Sequence, residues 1–409
     1  MRYHENVQEQ KPGSRAEGQV SLLKRDKPFL LASVGYPPVQ GAVGTIMKQL
    51  LDRFERGSAV VGTCRWLRSS AKTADQEATH PRHEVSLRFG NRLDRLAFSF
   101  EWRVAALGLR RLVYKYDCRA VLAVFPDLPM VRAAIAVAEA CRIPFLVHLH
   151  DTVEESLSGT PYERMAREVE SAIFRRPWQA LPLTGGLKEH YGRKYGTDFI
   201  ELPHPYSEDL PVSFDPTPFA ATACWSGNVY AINDRSFVRL FDACRMAGAR
   251  FVVTSPMPKA SFYRFVDGEF DVRFLARRSE YLEFLRRQAV HVVGLNWPDE
   301  TSVHRDELAT IFPTKMPEYL ASGVPVLVHC PQEYYLARFI RERGCGLVVS
   351  DRDPGAIETV MQRLMRETGL RAELGRRALE VVRDRFCVTR VVSVLARHLD
   401  DVQRSLRGA

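Results

Sequence analysis

Two successive series of short apolar runs, each run followed by a stretch with helical spacing, constrain this chain more than any other feature. In the first series PFLLASVG (28–35), SAVVGT (58–63), RAVLAVFP (119–126) and PFLVHLHD (144–151) are continuous apolar runs, as strands buried on both faces are. Between them, TIMKQLLDRFE puts Ile46, Leu50, Leu51 and Phe54 on one helical face, and MVRAAIAVAEACR (130–142) reads as a helix. FIELPHP (199–205) closes this half. Strand, helix, strand is the unit of a parallel sheet, because parallel neighbours need a crossover between them.

SEDLPVSFDPTPFA (207–220) is rich in proline and aspartate, has no periodicity and reads as a linker. The second series follows, with ACWSG, ARFVVTSP, VHVVGLN, VPVLVHC and GLVVS as strands. They alternate with the helices RSFVRLFDACRMAG, SEYLEFLRRQ, KMPEYLASG, QEYYLARFIRERG and PGAIETVMQRLMRE. The expectation is an α/β protein of two doubly wound, Rossmann-like domains facing each other. A loose tail covers 1–27, the first domain 28–206, the linker 207–220, the second domain 221–386 and a last helix 387–409. Such sheets bind ligands beyond the carboxyl ends of their strands, which puts the site in the cleft between the domains. The polar stretch 68–90 reads as a long loop, and 92–116 as a basic helix.

Composition narrows the classes. The 409 residues are 45% hydrophobic and 26% charged, too apolar for a disordered chain and enough for two or three domain cores. No apolar run approaches the roughly 18 residues of a membrane span. MRYHENVQEQKPGSRAEGQ has no apolar core after its first charges, so a signal peptide is not expected. The eight cysteines are scattered without a CxxC pair, which reads as reduced thiols in a cytoplasmic protein rather than a zinc or disulfide scaffold. A net charge of +9 and a pI near 9.2 fit nucleic acid, an anionic membrane or a phosphorylated substrate, and equally a solvated arginine-rich surface. No nucleic-acid motif accompanies the charge, so no nucleic acid is expected as a partner.

TIFPTKMPEYLASGVPVLV (310–328) carries the chemistry. Thr314 is a good helix N-cap, Pro317 falls in the first turn, and Gly323 ends the helix before a buried strand. The free amides at Thr314 and Lys315 make an anion site, to which Lys315 adds a point charge. Glu318, one turn on, presents a carboxylate able to accept from the vicinal hydroxyls of a ribose. A phosphate clamp and a ribose acceptor one turn apart suit a nucleoside diphosphate. The residues alone leave a second reading open, in which Lys315 and Glu318 are a surface i,i+3 pair.

PTKMPEYLASGVPVL, a helix, RGCGLVVSDRD, another helix and RAELGRRALEVVRDRF together resemble the C-terminal half of GT-B glycosyltransferases of the family-4 type. GYPPVQGAVG, VHLHD, TGGLKEHYGRKYG (184–196) and WSGNVYAIN (225–233) resemble their remaining motifs, in order, so that the likeness spans most of 28–400. The resemblance implies an acceptor-binding first domain, a nucleotide-sugar-binding second domain and a last helix crossing back to the first. It places Gly41 against the donor diphosphate, and His150 with Asp151 near the transferred sugar as catalytic residues. It puts Phe312, Pro313, Thr314 and Lys315 in the phosphate loop, Glu318 on the ribose, and Gly227 and Asn228 in the loop after the first strand of the second domain. Two departures stand out. Thr310 occupies a sugar-holding position where many members carry a glutamate. Arg235 is the only cation near the Gly227 loop, so Lys315, Arg235, His304 or Arg305 would meet the phosphates.

The implied reaction moves a sugar from a UDP- or GDP-type donor to the hydroxyl of a sugar, a lipid-linked sugar or another acceptor. It does so with retention and without metal or cofactor, plausibly in polysaccharide or glycolipid assembly at the inner membrane face. Arg92, Arg95, Arg103, Arg110, Arg111 and Lys115, interleaved with Phe98, Phe100 and Trp102, fit a helix resting on anionic lipid and equally a solvated helix face with an apolar core side. A nucleotide-sugar epimerase of the same fold and a catalytically silent binding subunit are the alternative readings.

Overall fold

The computed structural model describes residues 22–37, 41–66, 78–88, 93–175, 180–211, 215, 217 and 220–407, with backbone only over 93–99 and 405–407. Most of the expected N-terminal tail lies outside the described residues, as do 38–40 of the first glycine-rich loop, most of 68–90, Arg92, and parts of the linker 207–220. So do the side chains of Arg95 and Phe98.

The first sheet is built from β1 (Phe29–Ala32), β2 (Ala59–Trp66), β3 (Arg82–Arg88), β4 (Val121–Phe125), β5 (Phe145–Leu149) and β6 (Ala180–Pro182). Its order is β3-β2-β1-β4-β5-β6, with every pairing parallel. Helices α1 (Ala42–Leu51), α2 (Leu93–Tyr116), α3 (Leu128–Cys141), α4 (Glu163–Phe174) and α5 (Gly185–Tyr195) supply its crossovers. Phe29, Leu30, Leu31 and Ala32 of β1 are fully buried, which is why the run carries no polar residue. Asp127 opens α3 by accepting the Met130 amide at 2.8 Å, and Thr184 opens α5 by accepting that of Leu187 at 3.0 Å.

The second sheet repeats the plan. Its strands are β7 (Thr222–Ser226), β8 (Arg250–Thr254), β9 (Asp271–Arg273), β10 (Val290–Gly294), β11 (Val326–His329) and β12 (Leu347–Val349). Their order is β12-β11-β10-β7-β8-β9, again all parallel. Helices α6 (Asp234–Met246), α7 (Arg278–Arg286), α8 (Arg305–Thr310), α9 (Met316–Ser322), α10 (Tyr335–Arg343), α11 (Pro354–Arg366) and α12 (Thr368–Val381) surround it. Each sheet therefore reverses its winding at its centre, between β1 and β4 and between β7 and β10. The loops leaving those strands diverge there and open a crevice. The expected pair of doubly wound α/β domains is the observed fold.

After a π-helical turn at Val382–Phe386, the chain runs into α13 (Val388–Arg407). Val391, Val392, Leu395, Leu399 and Val402 of α13 are buried in the same cluster as β1, β4 and β5.

The structure differs from the expectation at the margins. The C-terminal part of the supposed loop 68–90 forms β3, an edge strand whose Glu84 is exposed and Arg82 half-buried while Val85 is buried. Its alternation is too polar to announce a strand without the partner β2. The three residues of β9 and the six of α8 are too short to leave a periodic trace.

Candidate active site in the interdomain cleft

The carboxyl ends of β7 and β10 hold most of the residues singled out in the second domain. Gly227 follows β7 with φ of +95°, a conformation that favours glycine. A Cβ there would come 3.1 Å from Lys315 Nζ, so the loop and the lysine share one space. Lys315 donates to the Ser226 carbonyl, and its ammonium lies 4.9 Å from the centre of the Trp225 ring. Burial lowers its pKa to about 8. Asn228 accepts from Ser255 Oγ at 2.6 Å and donates to the Tyr230 hydroxyl at 3.0 Å, which fixes the loop.

Helix α9 starts one residue later than the sequence indicated. Lys315, not Thr314, occupies the capping position, and no side chain closes it. Pro317 sits in the first turn and Gly323 ends the helix with φ of +75°. Glu318 is ion-paired at 2.5 Å with Arg278 of α7, whose guanidinium also grips Glu208. Burial raises the Glu318 carboxyl, and Arg278 pulls it back. The surface i,i+3 pair is therefore not what forms: Glu318 takes Arg278 as its partner, while Lys315 points to the Gly227 loop.

Other candidates have structural employment. Phe312 packs among Tyr335, Phe339 and Phe386. The Pro313 carbonyl accepts the Met316 amide at 2.9 Å. Thr310 is buried, its hydroxyl donating to the Glu307 carbonyl, and a Cβ on Gly186 of α5 would strike its carbonyl at 2.6 Å. It stands in a tight contact between the domains. Arg235 is exposed; its amide and that of Ser236 donate at 3.1 Å to Asn296 Oδ1, which closes the start of α6. The His304 ring accepts the Asp306 amide at 3.2 Å as the cap of α8, and Arg305 is exposed beside it. Gly41 precedes α1 with φ of +150° and has no atom within 4 Å of its Cβ position.

In the first domain, His150 and Asp151 follow the carboxyl end of β5. His150 Nε2 lies 3.1 Å from His148 Nδ1. Burial raises the Asp151 carboxyl, and the nearby Glu307 raises it further. Glu307 belongs to α8 of the second domain. It accepts from both the amide (3.1 Å) and the hydroxyl of Thr152, so the corner after β5 is clasped across the cleft. Burial raises the Glu307 carboxyl too, while the Thr152 bonds favour its charged form. Nothing in HRDELATI separates Glu307 from the exposed Asp306, so no signal in the sequence singles it out.

Beside this corner, Leu183, Thr184, Glu201, His204, Thr314 and Arg385 help to line a small cavity. Among the described residues, no group of three or more His, Cys, Asp or Glu side chains is arranged to hold a metal ion. The described cysteines are free thiols, and no described helix is long and apolar enough to cross a membrane.

No family model and no curated protein matches the chain. Solved structures do match its fold. Anabaena HepE in complex with UDP superposes with a TM-score of 0.65 at 12% identity, covering 91% of this chain and 100% of that one. The sucrose-phosphate synthase of Thermosynechococcus elongatus gives 0.61 at 13%, covering 93% and 100%. The UDP-forming α,α-trehalose-phosphate synthase of Burkholderia xenovorans gives 0.59 at 12%, covering 91% and 100%. The fold is the GT-B fold these proteins share.

Proposed function

We propose that the chain is a glycosyltransferase that moves a sugar from a nucleoside diphosphate sugar, of the uridine type, to an acceptor hydroxyl. One observation carries this reading. Lys315, Gly227 and Glu318 converge where the second sheet reverses its winding, across a cleft from His150 and Asp151, in a fold whose solved neighbours include HepE with UDP-glucose. In this reading Glu318 accepts from the ribose hydroxyls with the lone pairs that Arg278 leaves free. Lys315 swings from the Ser226 carbonyl to the diphosphate. The bond from the anomeric carbon to the diphosphate oxygen breaks, the acceptor oxygen takes its place, and the acceptor proton leaves with the phosphate. A cation brought to the leaving oxygen stabilises charge where it develops, so the departing diphosphate needs no separate acid. Retention of configuration, transfer without a metal and membership of the family-4 type belong to the same proposal, with His150 and Asp151 beside the sugar. Calorimetric titration with UDP, GDP and ADP tests the donor; binding of none of them refutes it.

The acceptor side of the proposal rests on α2. Phe100, Val104, Leu107 and Tyr114 are 65, 55, 61 and 64% exposed and fall on one stripe of the helix, flanked by exposed Arg103, Arg110, Arg111 and Lys115. Glu101, an acid in this stretch, is buried against Arg88. An apolar stripe between cations suits an anionic bilayer surface, and with it a lipid-linked acceptor in polysaccharide or glycolipid assembly.

A further inference from the structure

Side chains alternate along β5, so His148 and His150 share one face of the first sheet. His148 is 0% exposed and sits behind His150, the two ring centres 4.5 Å apart. Its Nε2 lies 2.8 Å from the Leu202 carbonyl oxygen, and its Nδ1 lies 3.1 Å from His150 Nε2. A carbonyl oxygen only accepts, so the proton of His148 is on Nε2. Its Nδ1 then carries the lone pair and takes a proton from His150 Nε2. No described group bonds His150 Nδ1. The Leu202 carbonyl is itself held in place, since the Leu202 amide donates to the Pro182 carbonyl at 2.9 Å.

We infer that His148 is a positioning residue that locks His150 in the Nε2–H tautomer, so that His150 offers the cleft a hydrogen-bond acceptor at Nδ1 and no donor. This rests on the glycosyl-transfer reading of the cleft, and it assigns the role that His150 plays there: the ring accepts from a sugar hydroxyl. A doubly protonated His148 would remove the lock, and burial, which brings its pKa down to about 4, keeps it neutral. Burial, with His148 and His204 close by, holds His150 neutral as well. His204, whose own environment includes Arg278 and Glu208, is likewise pushed down to about 3 by burial.

The test separates the lock from the reaction. Long-range proton–nitrogen NMR on histidine-labelled protein without substrate, with His150 assigned from the His150→Gln spectrum, reads the tautomer directly. The expected result is a protonated Nε2 and a bare Nδ1. In His148→Phe the acceptor is lost and the His150 ring shifts toward the Nδ1–H form. In His148→Asn the amide oxygen stands near the Nδ1 position and keeps the wild-type tautomer. With a competent donor, His148→Phe lowers kcat about 10- to 100-fold with little change in KM, and His148→Asn restores most of it. An Nδ1–H ring in the wild type, or an unchanged tautomer in His148→Phe, overturns the inference even if UDP binds. Absence of nucleotide binding strikes the functional reading and leaves the NMR result standing.

Discussion

Lys315 is a cation held close to deprotonation. An unfolded chain keeps that proton to about pH 10.5, whereas the buried ammonium releases it near 8. The folded state binds fewer protons across that window, so this residue makes stability rise with pH there. Affinity for an anion runs the other way. UDP binding holds steady near neutrality and weakens as pH passes about 8, while Lys315→Met binds weakly throughout and loses the dependence. Titration at several pH values checks this, and a wild-type affinity unaffected by alkaline pH contradicts it. Glu318→Ala removes an acceptor of charge-assisted hydrogen bonds, each contributing about 1.5–3 kcal/mol, so UDP affinity drops roughly 10- to 100-fold. The fold survives, because Arg278 retains Glu208. Unchanged affinity would falsify the ribose assignment. Lys315, Glu318 and Gly227 could be singled out as candidates because they fall in one short segment and one glycine loop. Glu307 could not be, because a carboxylate on a polar six-residue helix gains meaning only when Thr152 arrives from the other domain.

At the scale of elements, the contact between α8 and the end of β5 sets a pH dependence. Asp151 and Glu307 both have raised carboxyls, and Glu155 and His190 also act on Glu307. A raised acid means that the folded state holds its proton longer than the unfolded chain does. Stability from this pair is therefore present at acid pH and declines as pH rises above the ordinary carboxylate range. Glu307→Gln keeps an acceptor for the Thr152 amide and removes the second charge, so its denaturation midpoint falls less between about pH 5 and about pH 8. Equal falls in both proteins count against the coupling. Helix α2 makes a separate prediction: the protein floats with anionic vesicles and not with neutral ones, and Phe100→Asp with Leu107→Asp abolishes flotation without unfolding the chain, since both side chains face outward. Indifference to lipid charge removes the membrane reading. Long apolar strands and amphipathic helices were readable because burial on a whole face leaves a period in the sequence. The edge strands β3 and β9 were not, because their pairing depends on a partner strand the sequence does not name.

At the scale of the molecule, the chain crosses between domains twice at one place. The Tyr206 amide donates to the Phe386 carbonyl at 2.6 Å, and the Val388 amide donates to the Tyr206 carbonyl at 3.1 Å. Past that point α13 buries its apolar face in the first domain, so that core is completed by the last helix of the sequence. The cores of the second domain are separate clusters. With no core cluster shared between the described residues of β1–β6 and β7–β12, two melting transitions are expected, each answering to its own perturbation. On the proposed assignment of Lys315 and Glu318 to the nucleotide, UDP raises the transition of the second domain, by about 2.7 kcal/mol at 100 times its Kd. Leu395→Ala empties a fully buried site on α13 and lowers the transition of the first domain by about 2–5 kcal/mol. Scanning calorimetry of wild type and variant, each with and without UDP, separates the two effects. If the variant and the ligand move one and the same transition, the clasp at Thr152 and Glu307 and the contacts around Thr310 bind the domains into a single cooperative unfolding unit.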